Sequence, residues 1–267
     1  MALRSKRPLA AGTWLVTGAA SGLGREFVRQ LVARGERVAL WDRDINGMDA
    51  TCAVAASPRA HREVVDVRDV DAVREAAART RATVGRIAHV IHCAGVARGG
   101  SFASVSADDY RDMLETNALG SVHVALAALP LLRECASEAG RATMLFVSSL
   151  AGLRAMPQLA GFSASKYAVT GLAYALRDEL GDEPVDVRLL CPPLADTPLL
   201  KKLPETLPSF KLSRVESPER VVSSALDAFA EREWITLVGT RSRALWRTAR
   251  VAPALVDRVM QWARRES

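Results

Sequence analysis

The sequence predicts an α/β protein: one doubly wound domain with about seven parallel strands and helices on both faces of the sheet. Three observations predict it. Short apolar runs of strand length alternate with helix-length segments almost from end to end, which calls for parallel pairing through right-handed crossovers. A glycine-rich turn joins the first run to the first helical stretch. No internal repeat or long linker divides the 267 residues, and α/β folds commonly reach about 250 residues as one domain.

In chain order, Thr13 to Thr17 is a first strand, followed by the turn and a helix from Leu23 to Arg34. Val38 to Trp41, bounded by Gly35 and Asp42, is a second strand. After the Ser57-Pro58 break come a strand at Glu63 to Val67 and a helix at Val70 to Thr83. Ile87 to His92 is a fourth strand, ending before Ala94-Gly95. The hydroxyl-rich segment Ser101 to Ser106 leads into a long helical region, about Asp108 to Ala136, with a break near Asn117 to Ser121. Met144 to Val147, Val185 to Leu190 and Trp234 to Val238 are further strands. Helices at Phe162 to Leu180 and Pro218 to Ala230 connect them. The expected organisation is a basic arm at 1–12, a dinucleotide-binding and catalytic domain at 13–240, and a basic amphipathic tail at 241–267.

Charge excludes one class of partner. The net charge is +6, yet residues 241–267 carry seven arginines against Asp257 and Glu266, and Arg4, Lys6 and Arg7 add three more charges. The body between is slightly acidic, whereas a nucleic-acid-binding domain carries its basic stripe on the folded face. In the tail, Leu245, Trp246, Ala249, Leu255, Val256, Val259, Met260 and Trp262 recur at helical spacing between arginines, and Pro253 divides the run into two helices. The tail reads either as a segment touching an anionic membrane surface or as an extension packed on the body or on a second subunit. No window approaches the roughly 18 consecutive apolar residues of a membrane span, and the N-terminal arm lacks the apolar core of a secretory signal. Cys52, Cys93, Cys135 and Cys191 stand too far apart for a metal clip or a small disulfide scaffold, implying a reduced, cytoplasmic setting. His61, His89 and His123 have no ligand-spaced partners, so no metal is expected.

The turn reads Thr17-Gly18-Ala19-Ala20-Ser21-Gly22-Leu23-Gly24. Glycines let backbone approach a pyrophosphate with no Cβ in the way, and the following helix directs free N–H groups at the anion. Asp42 lies eighteen residues beyond Gly24 at the end of the second strand. There a carboxylate accepts from the adenosine ribose hydroxyls, completing a Rossmann-type pattern. It also repels a 2′-phosphate, which favours NAD over NADP. Arg43 beside it offers a phosphate partner if turned inward, while Ser21 adds no basic group.

On these residues the chain resembles the short-chain dehydrogenase/reductase family from about Thr13 to Val238. The turn at 17–24 has the family's spacing, and Asp66, with Val67 after it, matches the position that contacts adenine. Ala94-Gly95 match the end of the Asn-Asn-Ala-Gly segment, where His92 and Cys93 replace the asparagines. Asn117, Ser149 and Lys166 match three members of the active-site tetrad. Pro192, Leu194 and Thr197 match the loop that holds the nicotinamide amide, with Pro193 in place of its glycine. The resemblance implies a homodimer or homotetramer through the long helices from Asp108 and Phe162.

The tetrad's tyrosine should lie four residues before Lys166 and thirteen after Ser149; both counts land on Phe162. In the family this tyrosine moves the proton of the substrate oxygen. A phenol has a pKa of about 10, and a lysine one turn away lowers it towards working pH. Phenylalanine keeps the ring and loses the acid. Loss of a general acid typically lowers the rate ~10²–10⁴-fold, while cofactor positioning survives.

His92 and Cys93 point to opposite faces as strand-end neighbours and are expected to line the cofactor cleft. The segment after Ser149 and the loop around Thr197 supply Leu150, Leu153, Met156, Pro157, Leu159, Leu194, Leu199, Leu200, Leu203 and Phe210, favouring a bulky apolar alcohol or ketone over a sugar or polyol. Three functions stay open: an NAD(P)-dependent oxidoreductase of weak or absent activity as written, an NAD(H)-binding pseudoenzyme or scaffold without redox turnover, and a non-redox enzyme on the same fold.

Overall fold

The structure, a computed structural model, describes residues 9–204, 207, 214–231 and 233–265. Arg4, Lys6, Arg7 and Phe210 therefore lie outside the described residues, as do the side chains of Val259, Met260 and Trp262.

Seven strands form one sheet in the order β3-β2-β1-β4-β5-β6-β7: β1 (Thr13–Thr17), β2 (Val38–Asp42), β3 (His61–Val64), β4 (Ile87–His92), β5 (Ala142–Val147), β6 (Val185–Cys191) and β7 (Ile235–Leu237). The pairing is parallel, with Leu15 beside Ala39 on one side and beside Val90 on the other. All of β1, β4, β5 and β6 is buried, which is why these strands read as unbroken apolar runs rather than alternating ones. The doubly wound reading therefore holds. Two local expectations need correction. The third strand lies at His61–Val64, not at 63–67, because it is the sheet edge: Val64 is 57% exposed, so apolar content does not track pairing there. A helix at Ile45–Val54 escaped notice because it carries little amphipathic pattern.

The described residues fall into two compact units. The first draws on residues 9–94, Leu119–Phe146 and Leu172–Arg188. Its helices include α1 (Gly22–Ala33), α2 (Ile45–Val54) and α3 (Val70–Val84). Trp41 donates its indole N–H to Thr80 at 2.9 Å, pinning α3 beneath β2. At the opening of β5 and β6, Arg141 makes a two-pronged ion pair with Asp186, and Arg188 lies 3.7 Å from the same carboxylate. Both arginine side chains are about 5% exposed. Nearby, His89 donates from Nε2 to the Ala10 carbonyl at 3.0 Å, and burial lowers its pKa to about 4.

The second unit draws on Gly95–Ala118, Val147–Gly171 and Leu189–Ser267. The long helical region breaks where the sequence indicated: α4 (Ala107–Met113), capped by Ser106, passes through a π-helical turn at Leu114–Leu119, and α5 (Gly120–Ala139), which follows in sequence, belongs to the first unit. An 18-residue window within 107–136 reaches a mean hydropathy of 1.3, apolar enough for a membrane span, but α5 packs on β4 and α3, and a core helix has the same composition. Then come α6 (Ala160–Leu180), α7 (Pro218–Glu231) and, in the tail, α8 (Thr240–Val251) and α9 (Pro253–Arg265), divided by Pro253 as expected.

Two stability effects are expected. Asp186→Ala strands buried arginine charge and should lower unfolding free energy by about 3–5 kcal/mol, measurable as a shift in urea midpoint. For His89 the unfolded chain takes up a proton near 6.5 and the native chain only near 4, so its contribution is present above pH 6.5 and lost as pH falls towards 4. The difference in stability between parent and His89→Gln should change by up to about 1.4 kcal/mol per pH unit across that window.

Candidate active site

β1 ends at Thr17, and the chain turns through Gly18 at φ +66°. A Cβ there would lie 2.7 Å from the Ala94 nitrogen, and one on Gly24 would lie 2.0 Å from the Gly18 oxygen. Neither approach tolerates a side chain. Two of the turn's carbonyls are engaged by side chains: Ala19 accepts from Thr51 Oγ1 at 2.8 Å, and Ala20 accepts from Arg25 Nη2 at 2.5 Å. Thr51 and Arg25 are supports that motif reading missed, since only tertiary contact reveals them.

Asp44, Asp69 and Ser106 cap helices α2, α3 and α4 with their side chains, but Ser21 leaves the start of α1 uncapped. The first N–H groups of α1, from Gly22, Leu23 and Gly24, thus have no side-chain acceptor, which suits an anion. Half-buried Asp42 accepts from Ala20 N at 3.0 Å with Oδ2 and from Asp44 N at 3.1 Å with Oδ1, so its carboxylate is fixed beside the turn. Arg43 is exposed.

Thr17 knits the strand ends together. Its Oγ1 accepts from Ala94 N at 3.2 Å and lies 2.8 Å from His92 Nδ1, while its carbonyl accepts from Cys93 N at 3.3 Å. His92 is 1% exposed, with its ring edge-on to Phe146. This corrects the cleft-lining expectation for His92: the last residue of β4 faces the core, leaving half-exposed Cys93 and Ala94 at the surface. Asp66 is gripped by the Arg68 guanidinium, which holds its carboxyl below the usual range. Val67 is buried, and its carbonyl accepts from His123 Nδ1 at 2.9 Å.

In the second unit Asn117 sits inside the π-helical turn and is fully buried. Such one-turn irregularities recur at functional sites because they re-aim a side chain. Asn117 Oδ1 accepts from Val96 N, and its Nδ2 donates to Val96 O and to Ser165 Oγ, each at 2.8 Å. A Cβ on Gly95 would lie 3.0 Å from Asn117 Oδ1 and 3.4 Å from Lys166 Nζ, so Gly95, Asn117 and Lys166 converge. Lys166 donates to the Val147 carbonyl at 2.9 Å, and its ammonium stands 5.8 Å from the centre of the Phe162 ring.

Half-buried Ser149 accepts from Ala151 N at 3.1 Å. Its own N–H donates to the Cys191 thiol, which complete burial pushes up to about 12; Cys191 is a packed thiol near Lys166, not a nucleophile. Pro192 accepts from Leu150 N at 3.0 Å. Paired backbone bonds between Leu194, Asp196 and Glu216 hold the following loop, and Thr197 Oγ1 donates to Ala195 O at 3.2 Å.

Each hydroxyl flanking Phe162 bonds to the backbone. Tyr167 donates to Leu153 O at 2.9 Å, Ser163 accepts from Met156 N at 3.2 Å, and Ser148 donates to Lys166 O at 3.0 Å. Ser165 donates to Phe162 O at 2.8 Å.

The chain belongs to the short-chain dehydrogenase family, whose model matches residues 13–208. It is 31% identical over 205 residues to the 2-dehydro-3-deoxy-L-rhamnonate dehydrogenase (NAD(+)) of a Sphingomonas species, covering 75% of this chain and 79% of that one. It is 26% identical over 255 residues to estradiol 17-beta-dehydrogenase 11 of Mus musculus, covering 94% and 83%. A short-chain dehydrogenase from Burkholderia cenocepacia, solved in complex with NADP, has the same fold (TM-score 0.80, 23% identity, 94% of this chain and 98% of that one). So does one from Burkholderia phymatum, solved in complex with NAD (TM-score 0.79, 24% identity, 93% and 95%).

The sequence expectation that Asp42 faces the adenosine ribose and repels a 2′-phosphate is tested by Asp42→Ala. Fluorescence titration should show the NADPH-to-NADH affinity ratio rising at least about ten-fold, as expected when an ion-pair-scale repulsion of about 1.4 kcal/mol is lifted.

Proposed function

We propose that this protein is an NAD(H)-binding oxidoreductase for a hydrophobic alcohol or ketone, with turnover limited at Phe162. The observation that carries this reading is the intact Asn117–Gly95–Lys166 cluster around a site whose tetrad lacks its phenol. The bound nicotinamide would supply or accept the hydride.

Each side chain's part follows from its placement. The uncapped N–H groups of α1 would take the pyrophosphate, and Asp42 the adenosine ribose hydroxyls. The resemblance assigns Lys166 to the nicotinamide ribose. Its ammonium also adds positive potential where negative charge develops on the substrate oxygen. Ser149, with its hydroxyl hydrogen free of the Ala151 bond, donates to that oxygen. The proton itself has no donor of suitable acidity at position 162, because phenylalanine offers only a ring.

The relatives' names span a sugar acid and a steroid, so the substrate class is argued from this chain's own residues. Leu150, Met156, Leu159, Leu200 and Leu203 are buried beside half-exposed Leu153, Pro157, Leu194 and Leu199, and few acids or amides interrupt them. Phe162 also favours a second reading, an NAD(H)-binding protein without redox turnover.

Phe162→Tyr restores the phenol one turn from Lys166. NADH absorbance followed over a panel of apolar ketones and alcohols should show kcat rising ~10²–10⁴-fold, with NADH affinity within a few-fold. Two equally inert proteins that both bind NADH would overturn the oxidoreductase reading in favour of the second.

A further inference from the structure

The C-terminal pair of helices carries charge and apolar surface that the body leaves uncovered. In α8, Ser242 is buried, and Arg243, Arg247 and Arg250 form an exposed stripe at i, i+4 and i+7, with Ala244 and Val251 exposed beside it. In α9, Val256 is 3% exposed and Asp257 pairs with Arg154, seating that side of the helix near the segment after Ser149. The opposite side presents Ala254, Leu255 and Arg258 to solvent. Where the two helices meet, Val251 is 84% and Leu255 54% exposed. The Arg250 guanidinium stacks over the Trp246 ring at 5.0 Å, an arrangement that suits an apolar-aqueous boundary. Five arginines in 240–258 meet one acid, Asp257, which already serves Arg154.

We propose that this hairpin docks the protein on an anionic lipid surface. Val251 and Leu255 enter the headgroup layer, and Arg243, Arg247, Arg250 and Arg258 meet lipid phosphates. Both halves of the surface then find a use. Basic groups beside an anionic leaflet gain attraction that decays over a Debye length, and an apolar corner gains by leaving water. Nucleic acid would match the arginines but leave the Val251–Leu255 corner in water. A second protein copy would have to offer acids that the docked face does not itself contain.

The test is co-sedimentation of the full chain with vesicles of phosphatidylcholine alone and of phosphatidylcholine with phosphatidylserine. The protein should pellet with the anionic vesicles, stay in solution with the neutral ones, and be released as salt rises from about 0.1 M to about 0.5 M. Combining Arg247→Gln, Arg250→Gln and Arg258→Gln should weaken partitioning about 100-fold, at roughly five-fold per charge. Val251→Ser with Leu255→Ser should weaken it about ten-fold or more. Circular dichroism and NADH titration on each variant confirm an intact fold, and the salt series on the parent needs no variant. Equal binding to both vesicle types, no binding to either, or full binding by the arginine variant would overturn the proposal. So would a Val251/Leu255 variant that binds vesicles normally but loses a dimer in sedimentation velocity, since that face would then be a subunit interface.

Discussion

The buried amide of Asn117 holds the candidate catalytic centre in shape. Three hydrogen bonds from one side chain tie the segment after β4, through Val96, to helix α6, through Ser165. Lys166 follows Ser165 directly, and its ammonium is steered onto the Val147 carbonyl. A fully buried amide is expensive to leave unpaired, so the arrangement is close to all-or-none. The π-helical turn at Leu114–Leu119 exists in the service of this constraint: it rotates Asn117 inward from a helix that elsewhere packs by apolar contact.

Around that clamp the site is complete in scaffold and deficient in one group. Phe162 occupies the position one turn before Lys166 and contributes its ring to the ammonium's surroundings, so packing does not register the missing hydroxyl. The neighbouring hydroxyls each bond to backbone or to another side chain. The difference from a complete tetrad is chemical rather than structural.

Much of the fold and site was legible in sequence. Central strands were found because burial on both faces makes them unbroken apolar runs, as in Leu15 and Val16 or Ile87 to Ile91. The glycine turn was legible because its spacing is local, whereas the tetrad positions came through the family resemblance. The edge strand β3 was misplaced because its residues are polar or only partly covered, with Val64 exposed, and α2 went unseen because its polar and apolar residues do not segregate. His92 was misjudged because alternation tells which residues share a face, not which face is the core.

The sequence by itself determined the doubly wound class, the glycine spacing of the turn after β1, the carboxylate of Asp42 at the end of β2 and the break in the tail at Pro253; Phe162 stands out only against the tetrad of the family that the chain resembles. The fold class is written in the alternation along the whole chain, and the turn, Asp42 and Pro253 each lie at the end of one element, where chain geometry translates spacing directly into position. Only the tertiary structure decided that Thr51 and Arg25 brace the turn, that Ser165 answers Asn117, that Cys191 lies inert behind Ser149, and that Val256 and Asp257 seat the tail while Val251 and Leu255 stay in water. Those pairings join residues 32 positions apart for Thr51 and 103 for Asp257, and no local periodicity encodes which distant side chain fills a given space.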